Sequence, residues 1–163
     1  MPLSWRKLDG SLRCEGAPNL LAVTMMVVQA DATSSEVHVS KTPVLSTLWL
    51  DQPEDHDYPA AASYLELLFP KEQVAAQLAA LRKAEVTRYK AKDIFRASRL
   101  SLLGISNQHV DRDCQKIKQA VPLSPMLLVR ASEQGVVIVA DGYHRLCAVY
   151  GVDEDALIPC KIV

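Results

Sequence analysis

The chain has 163 residues, of which 49% are hydrophobic and 23% are charged. These values are typical of one globular domain with an appended segment and exclude an intrinsically disordered chain. The net charge of −1 hides an asymmetry, because residues 1–81 contain 5 Lys/Arg and 10 Asp/Glu, a net −5, and residues 82–163 contain 13 Lys/Arg and 9 Asp/Glu, a net +4.

The first 50 residues are predicted to be an N-terminal extension, either loosely ordered or packed on the domain as a strand. Residues 19–28 form an apolar run that is too short to span a bilayer, which needs about twenty residues. Basic residues before the run and small residues at 30–32 resemble a secretory signal, and export is the alternative that they indicate. The folded domain is predicted to cover residues 51–163, with its core at residues 87–163.

Two helices are predicted to follow the acidic, turn-rich segment of residues 51–59. Residues 59–69 and 71–84 place apolar side chains at helical spacing, and a proline at the start of each is typical of a first helical turn. We interpret both helices as packing elements of the core without a chemical role.

From residue 86 onward the pattern predicts short strands and helices, and therefore an α+β domain with a small mixed sheet. The apolar run of residues 136–139 is continuous, which is typical of a buried strand. Gly151 is predicted to end the last helix in the left-handed conformation. The predicted strands cover residues 86–90, 126–129, 136–139 and 158–163, and the predicted helices cover residues 91–100, 109–119 and 143–150.

Most of the basic excess lies in residues 82–118, where 10 basic residues stand against 4 acidic ones. Such a segment could follow the phosphates of a nucleic acid, although solvated helix surfaces are equally rich in Lys and Arg. No strongly basic balance of the whole domain accompanies it. The basic residues are Arg82, Lys83, Arg88, Lys90, Lys92, Arg96, Arg99, Arg112, Lys116 and Lys118.

The four cysteines show no C-x-x-C spacing and no dense framework. We therefore expect reduced, mostly buried thiols in a cytoplasmic protein. Metal ligation is the alternative, with His144 and Cys147 on one helix face, but without a paired spacing we expect no metal site. The cysteines are Cys14, Cys114, Cys147 and Cys160.

The junction at Asp141 and Gly142 joins the apolar strand to the last predicted helix. Helix N-termini leave backbone N–H groups unpaired and carry partial positive charge, and a glycine lets a ligand approach them. On the first turn, Arg145 adds a cation and His144 adds a donor. Together these features predict an anion site suited to phosphate. The alternative is a purely structural junction, in which Asp141 is the N-cap and Arg145 is a surface ion-pair partner.

Residues 123–163 resemble the core of the ParB/sulfiredoxin superfamily, in which two strands precede a G-x-H-R-x-x-A turn and a last strand follows a glycine. Residues 89–94 and 107–117 resemble the opening strand and helix of that family less specifically. The resemblance covers about half of the chain and implies a small α+β fold with a phosphate-bearing ligand over the start of helix 143–150. The matching residues are Pro125, Val129, Gly142, His144, Arg145, Ala148, Gly151 and Pro159.

Departures from the family pattern narrow what the resemblance implies. Sulfiredoxin carries its catalytic cysteine at the position of Tyr143, so sulfinic-acid reduction is not expected here. Chromosome-partition ParB proteins continue into a helix-turn-helix region and a dimerisation domain, so full partition activity is not expected of a chain that stops after the core. Free serine kinases of the superfamily have a D-G-x-x-R turn, which Asp141, Gly142 and Arg145 match.

The sequence leaves three functions open. The first is a nucleotide-binding module, with ATP or CTP and Mg²⁺ as the expected cofactor and ATP-dependent phosphotransfer as the reaction that could follow binding; Asp141 and His144 would then be catalytic. The second is a DNA-binding, partition-related accessory protein, and the third is a non-catalytic interaction module. The residues expected to bind the phosphate-bearing ligand are Asn107, His109, Gly142, Tyr143, His144 and Arg145.

Overall fold

The structure, a computed structural model, describes residues 6–8, 11–13 and 47–163. The described residues divide into two units, one within residues 1–40 and the other within residues 41–163. In the first unit, strands β1 (Arg6–Leu8) and β2 (Ser11–Arg13) pair in antiparallel register. The predicted secretory-like run and the small residues after it lie outside the described residues.

Within residues 47–163, the chain forms five α-helices and a four-stranded mixed sheet, which confirms the predicted α+β class. None of these helices has the length and hydrophobicity needed to cross a bilayer. The helices are α1 (Asp57–Leu65), α2 (Lys71–Lys83), α3 (Ala91–Ser98), α4 (Gln108–Lys118) and α5 (Tyr143–Val152). The strands are β3 (Thr87–Lys90), β4 (Met126–Ala131), β5 (Val136–Asp141) and β6 (Leu157–Ile162).

The sheet has the strand order β3-β6-β4-β5. Strand β6 lies between β3, to which it is antiparallel, and β4, to which it is parallel. Strands β4 and β5 form an antiparallel hairpin, in which Asp141 lies opposite Leu127. The turn of the hairpin contains Gly135 at a φ of +61°, a left-handed conformation that glycine adopts without steric penalty. The hairpin therefore returns the end of β5 to the start of β4.

Helices cover both faces of the sheet, as the packing of β4 shows. Successive side chains of a strand point to opposite faces. Leu127 and Val129 pack with residues of α1 and α2, whereas Met126 and Leu128 pack with residues of α3, α4 and α5. All four side chains are buried, so β4 lies at the centre of a three-layer arrangement of helix, sheet and helix.

Strand β5 is less buried than its continuous apolar run predicts. Val139 is buried, but Val136, Val137 and Ile138 are only half-buried. The reason is that β5 lies at the edge of the sheet and, within residues 47–163, has a neighbouring strand on one side only. The prediction of a buried strand is therefore wrong for the first half of β5.

Helix α5 does not end at Gly151, as the sequence predicts. Gly151 lies inside the helix, and the chain leaves it at Asp153, whose φ of −155° and ψ of 112° are extended. The carboxylate of Asp153 accepts a hydrogen bond from the backbone N–H of Asp155 at 2.9 Å. Aspartate side chains compete with helical hydrogen bonds in this way, so the helix stops at the aspartate and not at the glycine.

Helix α1 begins at Asp57 and ends at Leu65, whereas the sequence predicts a helix over residues 59–69. A carboxylate in the first turn is favourable because it faces the positive end of the helix dipole. Tyr58, Ala61 and Leu65 are buried and hold α1 against the sheet. The early start places Asp57, which is also buried, inside the domain instead of in the acidic segment before it.

Candidate functional site

A cavity of about 570 Å³ opens between α1, α4 and the N-terminal end of α5. This volume is within the range of about 300–1,000 Å³ that is usual for small-molecule sites. Its apolar lining residues are Ala60, Tyr64, Leu100, Pro122, Val139 and Ala140. Its polar lining residues are Glu54, His56, Asp57, His109, Arg112, Asp113, Lys116, Ser124, Asp141, Tyr143, His144 and Arg145.

Gly142 forms the junction between β5 and α5, at the wall of the cavity. It is the N-cap of α5, with a φ of +100° and a ψ of 15° and without a side-chain cap, so Asp141 is not the N-cap. A Cβ atom at this position would lie 2.8 Å from Cγ of Met126 and 3.3 Å from Nε and Nη2 of Arg145. Both the backbone conformation and the neighbouring atoms therefore require glycine.

Arg145 lies beside Gly142, as the sequence predicts, but its guanidinium is paired within the protein. Its Nη2 atom lies 3.3 Å from Oδ1 of Asp57 and also contacts Oδ2 of Asp141. The side chains of Arg145 and Asp57 are only 12% and 3% exposed. Two carboxylates thus share one guanidinium, and Arg145 offers less charge to a ligand than the sequence alone indicates.

Asp57 is the firmly held carboxylate of this pair. Its Oδ2 atom accepts hydrogen bonds from the hydroxyl of Ser124 and from the backbone N–H of Glu54, the latter at 3.1 Å. Burial by itself raises the pKa of Asp57, but the charge of Arg145 and the hydrogen bond from Ser124 outweigh it and lower the pKa below its usual value. Asp57 therefore stays ionised at neutral pH.

Asp141 has the opposite properties. Burial raises its pKa to about 6, because the charge of Arg145 offsets the desolvation only in part and the charge of Asp57 adds to it. Two neighbouring carboxylates with separated pKa values can divide the roles of charge carrier and proton carrier. Of the two, Asp141 is the carboxyl group whose raised pKa brings proton exchange closer to neutral pH.

The raised pKa of Asp141 predicts a pH dependence of stability. Because its folded pKa of about 6 exceeds its ordinary value of 3.8, the folded state binds this proton more tightly, and the free energy of unfolding falls as pH rises from about 4 to about 6. In Asp141→Asn this fall should disappear. Urea denaturation of both proteins across this window measures the difference between them, in which contributions from other groups largely cancel.

Asp57 serves as the internal comparison for that experiment. Its pKa is lowered from the ordinary value of 3.8, so its contribution to stability is lost only as pH falls below that value. The pH ranges over which Asp57 and Asp141 change the free energy of unfolding are therefore separate. Parallel stability curves for the wild type and Asp141→Asn between about pH 4 and about pH 6 would contradict the assignment of the raised pKa to Asp141.

One face of α4 is the second polar wall of the cavity. Its residues recur at the i, i+3, i+4, i+7 spacing that places side chains on one side of a helix, while Val110 and Ile117 are buried in the core. Within this face, Nζ of Lys116 lies 3.7 Å from Oδ1 of Asp113. The face consists of His109, Arg112, Asp113 and Lys116.

Asn107 has a different role from the ligand contact that the sequence predicts. It is the N-cap of α4, and its side-chain oxygen accepts hydrogen bonds from the backbone N–H groups of His109 at 2.9 Å and Val110 at 3.4 Å. It does not line the cavity. Asn107 thus fixes where α4 begins, and through that the position of His109, instead of contacting a ligand itself.

Three rings follow one another along the edge between α4 and α5. The rings of His109 and His144 stack with centroids 4.8 Å apart and an interplanar angle of 30°, and the rings of His144 and Tyr143 are 5.7 Å apart at 35°. The hydroxyl of Tyr143 donates to the carbonyl of Ser101 at 2.5 Å. Burial, together with the neighbouring His109, lowers the pKa of His144, so His144 is neutral at physiological pH.

The described cysteines take no part in the cavity. Cys147 and Cys160 are buried, and burial raises the pKa of Cys147 and raises that of Cys160 to about 12. Thiols with raised pKa values are poor nucleophiles and poor ligands. Among residues 47–163, no group of three His, Cys, Asp or Glu side chains is arranged to hold a metal ion.

Several charges of the basic segment are neutralised within the protein. Lys90 and Lys92 both contact Oδ1 of Asp155, at 2.9 and 2.7 Å. The hydrogen bonds from Lys92 and Lys90, of which that from Lys92 has the larger effect, lower the pKa of Asp155 to about 2. Arg96 pairs with Asp93 at 3.2 Å. The excess of basic residues in the sequence therefore overstates the charge that this surface presents to a polyanion.

The structure brings together six of the seven residues that the sequence selects, all except Asn107. Four further residues complete the site. The sequence did not select Asp57 or Ser124, and it named Arg112 and Lys116 only as part of the basic segment that could follow a nucleic acid. A signal for Arg112 and Lys116 was present, because polar residues recur along one face of α4. Asp57 had no such signal, since it lies 88 residues before its partner Arg145.

Comparisons of the chain with protein-family models, with curated proteins and with solved structures give no match. The function of the cavity therefore has to follow from its own residues. These combine three cations, four carboxylates, of which Asp57 and Asp141 have their pKa values shifted in opposite directions, and a row of rings around one space of ligand size.

Proposed function

We propose that the cavity binds a nucleotide or another phosphate-bearing ligand. The observation that carries this proposal is the convergence, in one cavity, of the α4 face that carries Arg112 and Lys116 with the N-terminus of α5. Lys116 and Arg112 supply positive charge, and the backbone N–H groups at the start of α5 add donors that have no partner within the helix. Gly142 lets the guanidinium of Arg145 lie against this turn, since a Cβ atom there would be 3.3 Å from its Nε and Nη2.

We also propose that the domain belongs to the ParB/sulfiredoxin-like folds. The succession of the β4–β5 hairpin, the turn at Gly142, helix α5 and strand β6 agrees with the pattern on which the resemblance rests. The domain departs from that pattern on the other face of the sheet, where α1 and α2 pack against Leu127 and Val129. Helix α1 also contributes Asp57 to the cavity, so the added helices serve the site as well as the core.

Phosphoryl transfer from ATP is a reaction in which the carboxylates of Asp57 and Asp141 would take different roles. An acceptor hydroxyl would give its proton to Asp141 as its oxygen forms a bond to the γ-phosphorus, and the bond from that phosphorus to the bridging oxygen would break to leave ADP. Asp57 would keep Arg145 in place, and neutral His144 would donate a hydrogen bond to the phosphate. Mg²⁺ would enter with the nucleotide, bound through the phosphates, and would neutralise part of their charge, because Asp57 and Asp141 are both engaged with Arg145.

Lys116→Ala tests the cationic face directly. We expect it to weaken the binding of pyrophosphate roughly 10- to 150-fold, because a hydrogen bond to a charged group contributes about 1.5–3 kcal/mol. Isothermal titration calorimetry measures the change. Lys118→Ala is the matched control, since Lys118 is an exposed lysine of the same helix that does not line the cavity.

Two results would contradict the proposal. One is the absence of binding by folded wild-type protein to pyrophosphate and to ADP with Mg²⁺ at millimolar concentration. The other is an equal loss of affinity in Lys116→Ala and Lys118→Ala, because this would indicate a general effect of charge instead of a contact in the cavity.

A further inference from the structure

We infer that the stacked rings of His109 and His144 form a platform on which the planar base of a nucleotide stacks. This inference rests on the proposed function and narrows it, because it selects nucleotides among all phosphate-bearing ligands. His109 is then the residue that determines specificity, while the cations of α4 and the N-terminus of α5 bind the phosphates.

The geometry of the ring pair supports this role. With centroids 4.8 Å apart and planes 30° from parallel, the two imidazoles lie face to face, as aromatic rings in a stack do. His144 is half-buried whereas His109 is exposed. One face of the His109 ring is therefore covered by His144, and the rest of the ring is open to a ligand.

The backbone of His109 is held in place by the cap of α4. Asn107 caps α4 and accepts a hydrogen bond from the backbone N–H of His109 at 2.9 Å, which sets the start of the helix. On the other side, the position of His144 follows from the turn at Gly142. Because both histidines lie on helix first turns held in this way, a base would find a preformed surface instead of ordering one.

The rest of the lining also favours a ligand with an organic part. A site for inorganic phosphate or a small sugar phosphate needs polar contacts on all sides, yet part of this cavity is apolar, with Leu100, Tyr64 and Val139 among its lining residues. Its volume of about 570 Å³ exceeds what a phosphate group needs. A nucleotide uses both kinds of wall, because its phosphates are charged and the faces of its base are apolar.

The inference can be tested with AMP and ribose 5-phosphate, which share a phosphate and a sugar and differ in the base. We expect the wild type to bind AMP roughly 5- to 150-fold more tightly, the range that stacking of one base on an aromatic side chain covers. His109→Ala should remove this preference, because it should weaken the binding of AMP more than that of ribose 5-phosphate or pyrophosphate. His109→Phe should restore it, because phenylalanine keeps a flat ring. Isothermal titration calorimetry measures all of these affinities.

Gln108→Ala is the control variant, since Gln108 is the exposed neighbour of His109 in α4 and does not line the cavity. The inference is overturned, and the proposed function kept, if AMP and ribose 5-phosphate bind equally well or if His109→Ala weakens pyrophosphate as much as AMP. If the folded wild type binds neither pyrophosphate nor AMP, both the proposed function and the inference are overturned.

Discussion

Arg145→Ala is expected to lower the free energy of unfolding by about 3–5 kcal/mol, because removal of one partner of a buried ion pair leaves an uncompensated charge. Here two carboxylates would lose their partner, and Asp57 is 2% exposed, so water cannot easily replace the guanidinium. Urea denaturation at about pH 7 measures the effect. The turn at Gly142 is thus structural as well as part of the site.

Arg112→Ala is the matched control for this substitution. Arg112 is an exposed arginine on the cavity side of α4, and surface substitutions usually change stability by less than about 0.5 kcal/mol. The effect of Arg145→Ala should also become smaller below about pH 6, where Asp141 takes up a proton and needs no counter-charge. A loss of less than about 1 kcal/mol at neutral pH would show that the ion pairs contribute little.

Gly142→Ala is expected to destabilise the domain by about 2–6 kcal/mol, from two causes of about 1–3 kcal/mol each. The first is backbone strain, because a φ of +100° lies outside the regions that residues with a Cβ atom readily adopt. The second is crowding, because the added Cβ would lie 2.8 Å from Cγ of Met126, a buried side chain. Thermal and urea denaturation measure the sum.

Gly135→Ala separates the two causes. Gly135 also has a positive φ, +61°, but nothing lies within 4 Å of the position that its Cβ would take. It should therefore show the backbone effect alone, roughly 1–2 kcal/mol. If Gly142→Ala is no more destabilising than Gly135→Ala, then Met126 moves aside at little cost, and the junction is less tightly packed than the structure indicates.

The structural features that depend on residues close together in the chain were the ones that the sequence predicted best. The apolar positions of α2 recur at helical spacing, and the structure buries two of them, Val74 and Leu81. The turn at Gly142 was also found from local signals, namely an apolar run, a glycine and a helix start. Such features need no knowledge of the rest of the fold, because they follow from the periodicity of helices and strands and from the conformational freedom of glycine.

What the sequence missed depends on contacts between distant segments. The stretch around Asp57 was interpreted as an acidic, turn-rich segment before the first helix, since nothing near it indicates that one of its carboxylates meets Arg145. Burial of β5 was overestimated for a similar reason, because an apolar run does not reveal whether its strand lies at the centre or the edge of a sheet. For Asn107 the error was the opposite one. It was assigned a ligand contact, although its place at the start of a predicted helix is a local signal for the N-cap role that the structure shows.

The packing of helices on both faces of β4 sets a lower limit on the size of a fragment of this protein that can fold alone. A fragment that started at residue 86 would keep every strand of the four-stranded sheet, yet it would leave Leu127 and Val129 facing water. It would also deprive Arg145 of Asp57. We therefore expect that residues 86–163 do not fold alone and that the smallest folding unit includes α1 and α2.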